Sequence, residues 1–313
     1  MSREIIDILG NYSEQYPLMV IASRNQVDYK NAYVCDQYYL QEKLGDRENI
    51  LLCRDHCGPY FADSDKHLNV LDAVRESKKT IKEDLNAGFD LIHIDVAKVD
   101  GSLDIAEELI EFTLSLDSDI ILEFGSEENT GQNLDETLKN LDSQLEFCQR
   151  YKDNIKFFVA QSGSFTREQQ LGTFDIEYNR QISSKIHQAG FLFKEHNGDY
   201  LTASQVSLRK QAGIDAINVA PQLGVVQTNL LYEIAGQTEE WHDFVLDVYQ
   251  GNRYQRWLNP DQYQDRLAAA LVSGHYFFAS QSYKKLLSSI NETRFIQKLE
   301  NEIGQVLDVY RGF

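Results

Sequence analysis

The chain has 313 residues, of which 42% are hydrophobic and 11% aromatic, so it can bury a large core as one or two domains. Its 49 acidic and 30 basic residues give a formal net charge of −19, which argues against nucleic acid because phosphate-backbone binding needs a concentrated basic surface. Without a membrane-length apolar run, a secretory-signal pattern or regularly spaced cysteines, we expect a cytoplasmic protein with reduced thiols and no membrane partner.

Seven short apolar runs recur along the chain and predict buried parallel β-strands. Each run is continuous rather than alternating, as in a strand that is covered on both faces. The runs begin at Pro17, Asn49, Leu91, Asp119, Ile155, Gly190 and Ala216. Between them lie helical patterns such as LDAVRESKKTIKEDLNAG, LDIAEELIEFTLSL, LDETLKNLDSQLEFCQRY and IEYNRQISSKIHQAG, several of which end at a glycine. The chain is therefore predicted to consist of repeated βα units.

Polar side chains stand at the ends of several strands, which decides between two α/β architectures. They are Asp55, His56, Asp95, Glu123 and His196. A doubly wound sheet gathers polar ends near one switch point, whereas a barrel collects them from many strands. We therefore predict an α/β fold of the (β/α)8 TIM-barrel type over residues 1–236, with a helical extension packed on it over residues 237–313.

The strand count leaves the barrel incomplete. The chain opens with a helix where a first strand is expected, so that strand is predicted to be irregular or missing. The run HYFFAS, which begins at His275, is a candidate for the eighth strand.

Two imidazoles, a carboxylate and an amide are predicted to meet at the mouth of the barrel. These candidate metal ligands are His56, His196, Glu123 and Gln161. Taken alone, each has an ordinary explanation, such as a histidine satisfied in the core or an amide satisfying the backbone. Together they suit Zn²⁺ or Mn²⁺ with an open coordination position, beside a carboxylate that moves a proton.

Two neighbouring features receive structural interpretations. Cys53 and Cys57 lack a second cysteine pair and are predicted to be packing residues rather than zinc ligands. The acidic loop after Glu123, which contains Glu127 and Glu128, is most simply a solvated turn.

Segments along nearly the whole chain resemble the tagatose-bisphosphate aldolase accessory-subunit family, within the class II metal-dependent aldolase superfamily of barrels. The matching segments are IASRNQVD from Ile21, RDHCGP from Arg54, AGFDLIHID from Ala87, VAQSG from Val159, KEHNGDYLT from Lys194, INVAPQLG from Ile217 and RYQRWLNP from Arg253. The resemblance implies that His56, Glu123 and His196 occupy metal-ligand positions. Gln161 stands where catalytic class II aldolases more often carry a histidine.

The resemblance also implies roles in proton transfer and substrate binding. Asp55 matches the proton-transfer carboxylate, Asn218 matches a residue that contacts the ketose, and residues 220–224 lie where a substrate phosphate is held. Further candidates are Glu123 and Asp95 for catalysis and Asn25, Gln222 and Asp199 for substrate binding. Arg54 and the acidic EFGSEENTG segment depart from the family pattern, which leaves the substrate open.

The expected function is metal-dependent aldol or retro-aldol chemistry on a sugar, foremost a ketose phosphate. The enzyme would be an aldolase or a carbon-four epimerase, with Zn²⁺ ahead of Mn²⁺ as its metal. One alternative is a non-catalytic subunit that stabilises a class II ketose-bisphosphate aldolase. Another is a sugar-phosphate binding protein without turnover. The expected partners are the sugar phosphate and either further copies of the chain or an aldolase subunit.

Overall fold

A computed structural model describes residues 2–126, 134–167, 169–311 and 313 of the chain, apart from the side chains of residues 134–136. Glu127 and Glu128 of the predicted acidic loop lie outside these residues.

Nine β-strands are present in the described chain, and the seven predicted runs are all among them. The strands are β1 (Leu18–Ser23), β2 (Ile50–Cys57), β3 (Leu91–Asp95), β4 (Ile121–Gly125), β5 (Ile155–Val159), β6 (Ser164–Thr166), β7 (Gln170–Gly172), β8 (Leu192–Glu195) and β9 (Ala216–Ile217). Seven of them form one parallel sheet in the order β1-β2-β3-β4-β5-β8-β9, while β6 and β7 form a separate antiparallel pair. The predicted α/β class with repeated βα units is confirmed.

Twelve α-helices surround or extend this sheet in the part of the chain that is described. They are α1 (Arg3–Ser13), α2 (Gln37–Leu44), α3 (Val70–Asn86), α4 (Leu103–Leu116), α5 (Leu134–Gln149), α6 (Ile176–Gln188), α7 (Ala203–Gln211), α8 (Pro221–Ala235), α9 (Glu239–Gln250), α10 (Arg266–Ser273), α11 (Gln281–Ser289) and α12 (Glu292–Val309). Side-chain caps such as Asn69 before α3 and Thr202 before α7 satisfy backbone N–H groups of the first turn. None of the described helices combines the length and the apolarity that crossing a membrane requires.

The predicted eighth strand at HYFFAS is wrong. His275 lies in a 3₁₀ turn, Gly274–Phe277, between α10 and α11. Its side chain packs so closely on α8 that a Cβ added to Gly224 would lie 2.4 Å from the Cβ of His275. A short apolar run fits a buried helical turn as well as a strand, and here packing against helices decided between them.

The sheet is curled, and β1 and β9 are its two edges. Residues of both edge strands line one cavity of about 400 Å³, together with residues of β5 and β8. The lining of this cavity reaches from Leu18 and Leu192, the first residues of β1 and β8, to Asp55 near the end of β2. A continuous apolar core joins α1, the sheet and the C-terminal helices through Ile5, Phe124, Phe244 and Phe295.

Candidate metal centre and active site

Strand β2 delivers two adjacent site side chains because its end is bulged. Between Arg54 and Cys57, three residue steps on β2 span two steps on β3. His56 takes the left-handed conformation at φ 48°, which is uncommon for a residue other than glycine. Neighbouring residues of a regular strand point to opposite faces, whereas this bulge lets Asp55 and His56 reach the same group of side chains.

Four side chains, from β2, from β3 and from the residue that follows β8, meet at this point. Asp55, His56, His93 and His196 each offer a ligand atom, and these atoms lie within 4.8 Å of one another. The ring centroid of His196 is 4.9 Å from that of His56 and 4.8 Å from that of His93. The rings of His56 and His93 are 5.3 Å apart. His56 and His196, predicted as metal ligands from distant segments, are therefore neighbours.

Two carboxylates fix the orientation of two of these rings. Nδ1 of His56 lies 2.6 Å from Oδ2 of Asp95, whose other oxygen accepts the backbone N–H of Ala97 at 2.9 Å. Nε2 of His196 lies 2.8 Å from Oε1 of Glu123. A carboxylate behind an imidazole sets its tautomer and directs the opposite nitrogen, an arrangement common in metal centres.

Glu123 is itself paired with a buried cation. Its Oε2 lies 2.5 Å from Nζ of Lys194, and both side chains are almost fully buried. Burial would raise the pKa of Glu123, but Lys194 and the neighbouring imidazoles His93 and His196 outweigh it and lower the pKa well below its ordinary value. A charged Glu123 at neutral pH can therefore accept the N–H of His196.

The titratable groups of the site influence one another strongly. Burial would raise the pKa of Asp55, but His56, His93 and His196 lower it well below its ordinary value. Burial would lower the pKa of His56, but Asp55 and Asp95 outweigh it and raise the pKa to about 9. His196 has a lowered pKa because burial outweighs the opposing effect of Glu123. A neutral His196 keeps a ring nitrogen available for a cation.

The residues of the group fit a metal ion, as their unsatisfied atoms show. Oδ1 of Asp55, Nε2 of His93 and Nδ1 of His196 are buried and have no hydrogen-bond partner in the described part of the chain. Burying polar atoms without partners costs free energy unless a further group binds them. Imidazole nitrogen and carboxylate oxygen are the donors that Zn²⁺ and Mn²⁺ accept.

Glu123, another predicted ligand, stands beside this group. It contacts the group through His196, and its Oε1 also lies 3.5 Å from Nδ1 of His93. The fourth predicted ligand, Gln161, is buried just beyond β5. His93, which the sequence interpretation overlooked, belongs to the group.

The position of His93 within the run LIHIDV explains why it was overlooked. It lies in the middle of β3, where an apolar strand makes any polar residue look like a satisfied core residue. It also lies two residues before Asp95, so both side chains point to the same face of the strand. That spacing was the one signal in the sequence that could have revealed it.

Asn25, which is predicted to bind substrate, makes hydrogen bonds to the loop after β2. Asn25 donates from Nδ2 to the carbonyl of Phe61 at 2.9 Å and accepts the N–H of Asp63 at 2.8 Å. This contact braces the loop after β2, whose Phe61 ring stacks on His56 with centroids 4.9 Å apart. Asn218 is buried and lines the cavity at the end of β9.

Asp199 and Gln222 meet at the start of α8. Oδ1 of Asp199 accepts the backbone N–H groups of Ala220 and Gln222, both at 2.9 Å. Oε1 of Gln222 accepts the N–H of Tyr200 at 2.6 Å. Burial raises the pKa of Asp199 to about 7, against the effect of these amides. The helix N-terminus predicted to lie near a phosphate is therefore occupied by a side chain of the protein.

The cavity between β1 and β9, which we call the seam cavity, touches the group of Asp55, His56, His93 and His196 (called the metal-binding group below) through Asp55. Its lining also includes Lys194, and Tyr310 and Phe313 from the C-terminal segment. Its volume of about 400 Å³ is within the usual range for small-molecule sites, about 300–1,000 Å³. Cys53 and Cys57 are buried free thiols, as expected of packing residues.

The fold is shared with sugar-related proteins of known structure. A probable tagatose 6 phosphate kinase from Sinorhizobium meliloti 1021 aligns over 98% of this chain and 91% of its own, with TM-score 0.65 and 19% identity. The fructuronate-tagaturonate epimerase UxaE from Cohnella laeviribosi aligns over 99% and 80%, with TM-score 0.60 and 11% identity. A fructose-bisphosphate aldolase from Campylobacter jejuni aligns over 99% and 87%, with TM-score 0.52 and 12% identity. No protein-family model and no curated protein matches the sequence.

Proposed function

We propose that the protein is a metal-dependent enzyme that makes or breaks a carbon–carbon bond next to the carbonyl of a ketose. The observation that supports this most is the group of Asp55, His56, His93 and His196, whose ligand atoms lie within 4.8 Å of one another. The same proposal treats the curled sheet as a TIM-type barrel that is open between β1 and β9.

The three imidazoles would hold the metal, with Zn²⁺ preferred and Mn²⁺ as the alternative. Three histidines that leave a coordination position open are a common set for catalytic zinc. A divalent cation held there would polarise the ketose carbonyl and stabilise the enediolate charge that develops in aldol chemistry. Asp95 and Glu123 would orient His56 and His196, so their catalytic contribution would act through the ligands.

Asp55 would be the proton-transfer group. It lines the seam cavity, its Oδ1 has no hydrogen-bond partner in the described chain, and its lowered pKa keeps it a carboxylate at neutral pH. In the cleavage direction it would take the proton from the hydroxyl on the fourth carbon while the bond between carbons three and four breaks. Release of the aldehyde would make an aldolase, whereas rotation and re-addition would make a carbon-four epimerase.

The substrates to test follow from the sequence resemblance and from the proteins that share the fold. A first panel contains fructose and tagatose bisphosphates and their unphosphorylated ketoses. A second contains fructuronate and tagaturonate, the compounds named for the epimerase of similar fold. Cleavage and carbon-four epimerisation are followed separately, because one metal centre can support both outcomes.

Metal analysis of the purified protein is the first experiment. We expect about one equivalent of zinc or manganese in the parent, and loss of metal in His93→Ala and in His196→Ala. Gln161→Ala and the surface variant His187→Ala, whose histidine pairs with Asp215, should keep the metal. Metal retained in His93→Ala but lost in Gln161→Ala would contradict the proposed ligand set.

Turnover is the second experiment. Asp55→Asn should keep the metal and reduce kcat by several powers of ten, since proton transfer alone contributes about 10²–10⁴-fold. A parental rate in a folded, metal-loaded Asp55→Asn variant would refute the proton-transfer role. No reaction on either panel would exclude these sugars as substrates.

A further inference from the structure

We infer that the seam cavity receives the non-reacting end of the substrate, and that this end is apolar rather than phosphorylated. This assignment of the seam cavity rests on the function proposed above, and it specifies the substrate class. The assigned part of the substrate is the part that lies beyond the metal-binding group.

The cavity reaches one of the reacting groups. Asp55, which we assign to proton transfer, and Lys194, which pairs with Glu123, both line it. Asn218, which follows β9, also lines it. A ligand whose carbonyl lies near Asp55 therefore has room to continue between β1 and β9.

The walls beyond Asp55 and Lys194 are largely apolar. They include Leu18, Val20, Phe157, Leu192, Ile217 and Leu307. Leu192 lines the cavity and is 42% exposed although it lies on a strand inside the sheet order. An apolar ligand group placed against these walls would gain free energy by leaving water.

The two cations that line the cavity and the first amides of α8 are paired within the described part of the chain. The N–H groups of Ala220 and Gln222, at the start of α8, both donate to Asp199. Lys194 pairs with Glu123 at 2.5 Å, and Arg311 pairs with Asp308 at 2.8 Å. A phosphate in the seam cavity would have to displace carboxylates from the amides and cations that line it.

Three hydroxamates test this assignment, because they share a metal-chelating end and differ only in the other end. They are acetohydroxamate, octanohydroxamate and phosphoglycolohydroxamate, with Kd measured by calorimetry on the zinc-loaded full chain. Octanohydroxamate should bind at least about tenfold more tightly than acetohydroxamate, since each buried methylene contributes roughly 0.8 kcal/mol, or about fourfold. Phosphoglycolohydroxamate should bind no more tightly than acetohydroxamate.

Two tryptophan variants identify the place of binding. Leu192→Trp fills the cavity and should abolish the octanoyl gain while it leaves the Kd of acetohydroxamate unchanged. Leu116→Trp is the matched control, because Leu116 is 45% exposed and lies at the end of α4, away from the cavity lining. It should keep the gain. Thermal unfolding establishes that both variants are folded.

The outcomes separate this assignment from the function on which it rests. Equal Kd values for the acetyl and octanoyl compounds, tighter binding of the phosphate compound, or a gain that survives Leu192→Trp would overturn it. If the protein takes up no metal, the proposed function fails, and 1-octanol binding to the metal-free protein is measured instead. Octanol binding that Leu192→Trp removes would then leave the apolar site but overturn its role with the substrate, whereas no octanol binding would overturn both.

Discussion

Gly125, at the end of β4, leaves the space that His93 needs. A Cβ added there would lie 2.7 Å from Nε2 of His93 and 3.4 Å from Cβ of Val159. Gly125→Ala should therefore displace the imidazole and weaken metal binding about tenfold or more, the lower end of the effect expected when a ligand loses its orientation. Competition with a chelator of known affinity measures the change.

The control for this substitution is Gly304→Ala in α12, where an added Cβ meets no atom within 4 Å. It should leave metal affinity unchanged and be neutral or slightly stabilising, because alanine favours a helix over glycine. Equal metal affinity in Gly125→Ala and the parent would show that His93 does not take part.

The charge of His56 makes the stability of the metal-free protein depend on pH. Burial opposes the charge, but Asp55 and Asp95 outweigh it and raise the pKa from 6.5 to about 9. A raised folded-state pKa contributes stability that is complete below about pH 6.5 and is lost as the pH rises through about 9. The urea midpoint of chelator-treated protein should therefore fall across this window.

His56→Gln isolates this effect, because glutamine keeps a polar side chain without the titration. Its urea midpoint should change less between about pH 6.5 and 9 than that of the parent. The surface variant His187→Gln should follow the parent. If His56→Gln and the parent show the same slope, the imidazole is not charged in the folded metal-free protein.

Strand β2 is held to α3 by a fully buried ion pair between Arg54 and Asp84. The guanidinium of Arg54 binds both oxygens of Asp84 at 2.7 and 2.6 Å and donates to the carbonyl of Ala22 at 2.7 Å. Arg54 points away from the metal-binding group and anchors the strand just before its bulge. Arg54 therefore has a structural role in this protein.

Removal of Asp84 should be costly because it leaves a buried charge without a partner. We expect Asp84→Ala to lower the free energy of unfolding by about 3–5 kcal/mol in urea titrations. Glu108→Ala is the control, because Glu108 pairs with Lys78 at 2.7 Å but is half exposed, so its loss should cost at most about 1 kcal/mol. Similar losses in both variants would show that the buried pair is not an anchor.

The sequence was sufficient to predict most strands and helices, but not the contacts between them. Continuous apolar runs were sufficient to predict all seven strands of the sheet. Helical patterns predicted α3, α4, α5 and α6, and those of α3 and α6 end at a glycine. The bulge at His56 could not be predicted, because it depends on the register between β2 and β3. The Lys194–Glu123 pair could not be predicted either, because it depends on how the sheet brings different strands together.

Tyr310, which directly follows α12, connects the C-terminal end of the chain to the loop that carries His196. Oη of Tyr310 donates to the carbonyl of Gly198 at 2.5 Å and accepts the N–H of Leu201 at 3.3 Å. Gly198 in turn donates its N–H to the carbonyl of Asn218 at 3.0 Å. Residues more than 100 positions apart in sequence therefore hold the loop between β8 and α7, next to the metal-binding group.

Tyr310→Phe tests this long-range brace, because it keeps the ring in the cavity wall and removes only the hydroxyl. The carbonyl of Gly198 and the N–H of Leu201 would lose their partner, so unfolding should become easier by about 1–3 kcal/mol. Metal affinity should fall as well, because His196 is two residues from Gly198. Tyr12→Phe cuts another tie to α12, the bond to Asp308 at 3.0 Å, without touching this loop. It should lower stability without changing metal affinity, and a Tyr310→Phe variant that behaves in the same way would show that the loop holds His196 unaided.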